Sequence, residues 1–146
     1  ALRESGAGND RKVQERREFW EAEHAKLQAA YRTEVEVARD KQTIDPVALC
    51  AAISEVMPDN TVYAEEVTSH RAAVHRHVKW EGAQQYFHPS GGLGQGLGLA
   101  LGVKLAKPDQ PVVALMGDGG FLYNPVLPSF GVAGDCLLYP SYPADQ

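Results

Sequence analysis

An α/β fold, with a parallel sheet flanked by helices and a long connecting helix ahead of it, is predicted by three features of these 146 residues. The run from Arg11 to Asp40 lacks glycine and proline and is dense in Glu, Arg, Lys, Gln and Ala, as a long helix requires. Gln110 to Met116 is an apolar stretch that ends abruptly at Gly117-Asp118-Gly119-Gly120, as a fully buried strand leaving a parallel sheet does. Between these, Gly94, Gly98 and Gly102 recur every four residues, and so do Leu93, Leu97, Leu101 and Leu105. That spacing predicts one helix with two stripes, glycine on a face where backbone must approach something closely. Helix, strand and glycine turn in this order place a ligand site at the strands' carboxyl ends.

The elements follow in order. Residues 1–44 read as a linker and connecting helix whose sparse apolar positions leave it largely exposed, with Phe19 and Trp20 as an anchoring contact. Residues 45–133 form the domain. Asp45-Pro46 supplies an N-cap and a first-turn proline for a helix that ends near Pro58. Thr61 to Ala64 is a short β-prone run that breaks into the polar loop Glu65 to His70, with Glu65 and Glu66 read as surface or supporting residues. Arg71 to Lys79 is helical, with Arg71, Arg76 and Lys79 on a solvated face, and Gln84 to Phe87 is a second short strand. Residues 134–146 form an atypical tail, where Pro140 and Pro143 spoil a central strand.

Composition narrows the function classes. With 44% hydrophobic and 23% charged residues the balance is that of a soluble globular domain, and the formal charge of −5 argues against nucleic acid and anionic lipid as partners. Two cysteines without ligand spacing indicate neither a disulfide framework nor a zinc site. The charged N-terminal stretch and the lack of a long apolar run make the expected compartment the cytoplasm, with no membrane association.

Gly-Asp-Gly after a buried strand sets one carboxylate at the sheet's edge between residues small enough for a ligand to touch backbone. On the tripeptide alone, Asp118 as a cap for the next helix is an equal alternative. A glycine-rich helix start at Gly91-Gly92 shifts the balance toward a magnesium-diphosphate cradle. The dinucleotide fingerprint G-x-G-x-x-G does not occur, because the third glycine position falls on Leu97, Leu99 or Leu101.

From Gly91 through Asp118 the chain closely resembles the C-terminal diphosphate-binding domain of thiamine diphosphate enzymes of the acetolactate synthase and benzoylformate decarboxylase type. The resemblance implies a cofactor, thiamine diphosphate, held through Mg2+. It implies that the Gly91 carbonyl accepts from the aminopyrimidine, that Leu93 props the bent cofactor, and that Asp118 binds the metal. Gly92, Gly117, Gly119 and Gly120 would line the diphosphate, with Thr68 and Ser69 offering hydroxyls. The implied chemistry is cleavage or formation of a carbon–carbon bond next to a carbonyl, as in 2-oxo acid decarboxylation or acetolactate synthase-like carboligation. Of the histidines at 70, 75, 77 and 88, His88 is the candidate catalytic residue, three positions before Gly91. The alternatives are a non-catalytic nucleotide- or phosphate-binding module and a structural partner subunit.

Two departures stand out. Such domains carry an Asn-Asn pair past the GDG that completes the metal shell, and none exists here; Asp145, twenty-seven positions after Asp118, is the candidate second ligand. The glutamate that activates the aminopyrimidine belongs to a separate pyrimidine-binding domain of the same or a neighbouring subunit, so a homo-oligomer is expected, with this chain inactive on its own.

Overall fold

The computed structural model describes residues 11–135. The chain divides into two compact units, Ala1–Leu49 and Cys50–Gln146. In the first, helix α1 spans Arg11–Arg39, and Ala38 is its buried residue. Phe19 and Trp20 touch edge to face at 5.2 Å and are exposed within this unit. Helix α2, Pro46–Val56, opens as expected: the Asp45 carboxylate accepts from the Val47 amide at 2.8 Å.

The second unit is built on a three-stranded parallel sheet in the order β2-β1-β3, with β1 Val62–Glu66, β2 Tyr86–Phe87 and β3 Val112–Met116. Each crossover carries a helix, α3 Arg71–His77 between β1 and β2, and α4 Gly96–Ala106 between β2 and β3. Helices α5, Asp118–Tyr123, and α6, Val126–Asp135, follow β3. Parallel crossovers put the start of each helix at the carboxyl edge of the sheet and its end at the amino edge.

Three expectations are corrected. β1 does not stop at Ala64; it runs on through Glu65 and Glu66, both buried, because their carboxylates find donors on either side of the sheet. β3 is partly exposed along its length rather than fully buried, since it pairs with β1 on one side and is an outer strand among the described residues. Helix α4 starts at Gly96, not at Gly91: Gly91, Gly92 and Gly94 have φ of +77°, +82° and +92°, which no helix accommodates. No helix among the described residues is long and apolar enough to cross a membrane.

Candidate functional site

β1 ends in two consecutive carboxylates, and strand alternation sends them to opposite faces. Glu66 faces α4 and α5. Its carboxylate accepts from the amides of Gly94, Gln95 (3.3 Å) and Gly96 (2.6 Å), and from the Asn124 side-chain amide at 3.3 Å. Burial pushes its carboxyl up toward neutrality, but the amides of Gly96 and Gly94, the Asn124 side chain and the Gln95 amide outweigh this and hold it below the usual carboxylate range. The glycines make the approach possible: a Cβ at Gly96 would lie 2.6 Å from Glu66 Oε2 and 2.8 Å from Glu66 Cβ.

Asn124, six residues after Asp118, completes the joint. Its Oδ1 accepts from the Leu97 amide at 3.1 Å, and its Nδ2 donates to the Gly120 carbonyl at 2.7 Å. Gly94 sits against the end of α5, where a Cβ would meet the Tyr123 carbonyl oxygen at 2.7 Å. The loop 91–95 and the turn 117–120 are thereby fastened side by side at the carboxyl edge.

The outward side of this joint is open. Asp118, the first residue of α5, is exposed, and its Oδ1 accepts from the Gly119 amide at 2.8 Å. The capping alternative is corrected: Gly117 is the N-cap, and no side chain caps α5. No atom lies within 4 Å of a Cβ built on Gly91, Gly117 or Gly119, so a ligand can reach backbone there. Leu93, between two positive-φ glycines, is half exposed. Thr68 and Ser69 lie exposed in the bend and turn after β1. Asp145 lies outside the described residues. Among those described, no group of three or more His, Cys, Asp or Glu side chains is arranged to hold a metal. One exposed carboxylate beside open backbone is nonetheless a fitting donor set for magnesium with a diphosphate, since that ion takes one or two carboxylates and leaves its other positions to phosphate and water.

Glu65 faces the β2 side, fully buried. Its Oε1 accepts from the Val67 amide at 2.5 Å and its Oε2 from the Tyr86 hydroxyl at 2.7 Å. Arg71 Nε and His88 Nδ1 stand 3.3 and 3.2 Å from the same Oε2. Arg71 Nη2 is 2.6 Å from His88 Nε2, and the Tyr86 hydroxyl also meets His75 Nε2 at 2.8 Å. Burial, then the hydrogen bond and charge of Glu65, push the Tyr86 phenol far up despite Arg71, so it stays a donor. Arg71 is thus paired with a buried carboxylate rather than simply solvated, and of the two expectations for Glu65 and Glu66, surface or supporting, the surface one is corrected. Of the other histidines, His77 is buried on α3, and His70 precedes that helix without capping it.

Residues 66–133 match the family model for the thiamine pyrophosphate enzyme, C-terminal TPP binding domain. This stretch of the chain belongs to that family. The chain is 34% identical over 85 residues to human 2-hydroxyacyl-CoA lyase 2, a match covering 57% of this chain and 13% of that protein. It is 32% identical over 89 residues to benzoylformate decarboxylase of Pseudomonas aeruginosa, covering 60% of this chain and 17% of that one. The thiamine diphosphate-dependent 4-hydroxybenzoylformate decarboxylase of Rhodococcus jostii RHA1 superposes with a TM-score of 0.52 at 40% identity, over 54% of this chain and 15% of that chain. The domain thus spans a small fraction of the enzymes it resembles.

Proposed function

We propose that this domain binds thiamine diphosphate through Mg2+ as part of an enzyme that cleaves or forms a carbon–carbon bond next to a carbonyl, its substrate a 2-oxo acid. The observation that carries this reading is the joint made by Glu66 and Asn124, which sets the positive-φ glycine loop beside an exposed Asp118 at the carboxyl edge of a parallel sheet. Asp118 would hold the metal. The amides of Gly119 and Gly120, with the hydroxyls of Thr68 and Ser69, would receive the diphosphate, helped by the positive end of α5. The Gly91 carbonyl and the Leu93 side chain would orient the rings, and His88 would move a proton near them. When bound, the cofactor supplies the electron sink for the bond that breaks, while the protein contributes position and exclusion of water. A pyrimidine-binding domain, of the same or a second subunit, would close the other side.

Calorimetry on the natural protein containing this chain tests the proposal. Asp118→Ala is expected to abolish magnesium-dependent binding of thiamine diphosphate while leaving the fold intact. Unchanged affinity would remove Asp118 as the metal ligand.

A further inference from the structure

We propose that Arg71, positioned by Glu65 and His88, recognises the carboxylate of the 2-oxo acid substrate and so selects charged 2-oxo acids over thioesters and neutral carbonyl compounds. This rests on the functional reading above and adds to it the residue that reads the substrate's charge.

Topology singles Arg71 out. From Cys50 onward the described lysines and arginines are Arg71, Arg76, Lys79, Lys104 and Lys107. Arg76 and Lys79 lie at and beyond the far end of α3, and Lys104 and Lys107 close α4, so all four are carried toward the amino edge. Lys104 is further bound there by the carbonyls of Pro108 and Gln110, at 2.7 and 3.0 Å. Arg71 opens α3 and is the one Lys or Arg of this set at the edge where the glycine loop and Asp118 sit.

Its surroundings fit a receptor for a carboxylate. The ion pair on Nε comes from a carboxylate with no solvent exposure, while the Arg71 side chain is 40% exposed. Glu65 also accepts from the Val67 amide and the Tyr86 hydroxyl and has His88 Nδ1 3.2 Å from Oε2, and so neutralises the guanidinium only in part. A guanidinium carries five N–H donors in a planar fork, and a carboxylate engages two of them side by side. The acceptor now on Nη2 is the His88 ring, whose other nitrogen, Nδ1, is held separately by the Glu65 backbone carbonyl at 3.0 Å, so that Nε2 can yield its place without releasing the ring. A substrate carboxylate taking that place would free His88 Nε2.

The order β2-β1-β3 also separates two tasks. Arg71 and His88 stand over the β1–β2 half, whereas Asp118 follows β3. A diphosphate at Asp118 leaves Arg71 for the other end of the bound molecules. A thioester offers that fork neither a second oxygen nor a charge.

The test uses the natural protein loaded with thiamine diphosphate and magnesium. Oxamate and its N-phenyl derivative, inert carboxylates of 2-oxo acid shape, are titrated calorimetrically alongside their neutral methyl esters. Arg71→Gln should weaken both carboxylates about 10- to 100-fold, the range of a charge-assisted hydrogen bond, and leave the esters and the cofactor affinity unchanged. Arg71→Lys should recover part of the loss, since it keeps the charge without the fork. Equal effects on acid and ester, no binding of either carboxylate by the unaltered protein, or a loss of cofactor affinity in Arg71→Gln would each overturn the role of Arg71 alone. Failure of the unaltered protein to retain thiamine diphosphate would overturn the functional reading, and this inference with it.

Discussion

Glu66 is buried beneath the two glycine segments and sets the distance between them. A buried carboxylate fed by backbone amides is held below its ordinary range, so its stabilisation is present above the unfolded-state value of about 4.3 and is lost as pH falls through the lower folded value. Glu66→Gln is expected to cost about 1.5–3 kcal/mol at neutral pH, because one acceptor oxygen becomes a donor facing amides. The variant's denaturation midpoint should also fall less steeply with acid; a parallel pH dependence in both proteins would show that Glu66 is not the titrating group. Leu93→Ala tests the neighbouring position: its side chain is half exposed in the described structure, so truncation should leave the fold and the diphosphate contacts intact. Turnover in the complete enzyme should fall about 10- to 100-fold through misplacement of the reacting atoms, with little change in cofactor affinity. Equal turnover at saturating cofactor would make Leu93 an ordinary apolar residue.

Helix α4 shows what was legible at the level of elements. The helices α1 and α2, the strand before GDG and the glycine-rich crossover were readable because periodicity and breakers are local signals. The start of α4 was not. A four-residue recurrence of glycine does not distinguish Gly98 and Gly102, inside the helix, from Gly94, whose positive φ and contact with Tyr123 come from a distant part of the chain. For the same reason the site residues that sit in motifs, Gly91 to Leu93 and Gly117 to Gly120, could be proposed, whereas Glu65, Glu66, Arg71 and Asn124 had no local signature. The nearest hint was a pair of glutamates directly after a β-prone run, and only pairing across the fold shows that they are buried. Close approach is also found elsewhere than expected: Gly96 meets Glu66, while a Cβ at Gly98 or Gly102 meets nothing within 4 Å. Gly96→Ala should therefore destabilise by about 1–3 kcal/mol through a clash close to backbone. Gly98→Ala should be neutral or stabilising by up to about 1 kcal/mol in this chain. Thermal melts of the two variants decide it, and the opposite order would contradict the placement of α4.

On the scale of the whole molecule, the second unit leaves large apolar side chains in water. Leu122, Tyr123, Leu127 and Phe130 on α5 and α6 are exposed, as is Leu105 on α4, and β3 is an outer strand among the described residues. An exposed surface of this kind favours association, and light scattering on the 146-residue chain should show dimers or larger species. The same chain with thiamine diphosphate, magnesium and a panel of 2-oxo acids should release no carbon dioxide, because Leu93 is half exposed in the described structure and water would reach the reacting atoms. Cofactor-dependent turnover would assign to Glu65, Glu66 or His88 the activation of the aminopyrimidine that is expected of a separate domain. The central claim, that the two glycine segments and Asp118 form a magnesium-diphosphate cradle, is tested most directly by a crystal structure of the natural protein with both ligands. A metal about 2.0–2.1 Å from an Asp118 carboxylate oxygen is expected, with diphosphate oxygens on the amides of Gly119 and Gly120. A bound diphosphate whose metal lies elsewhere, with Asp118 left in solvent, would contradict it.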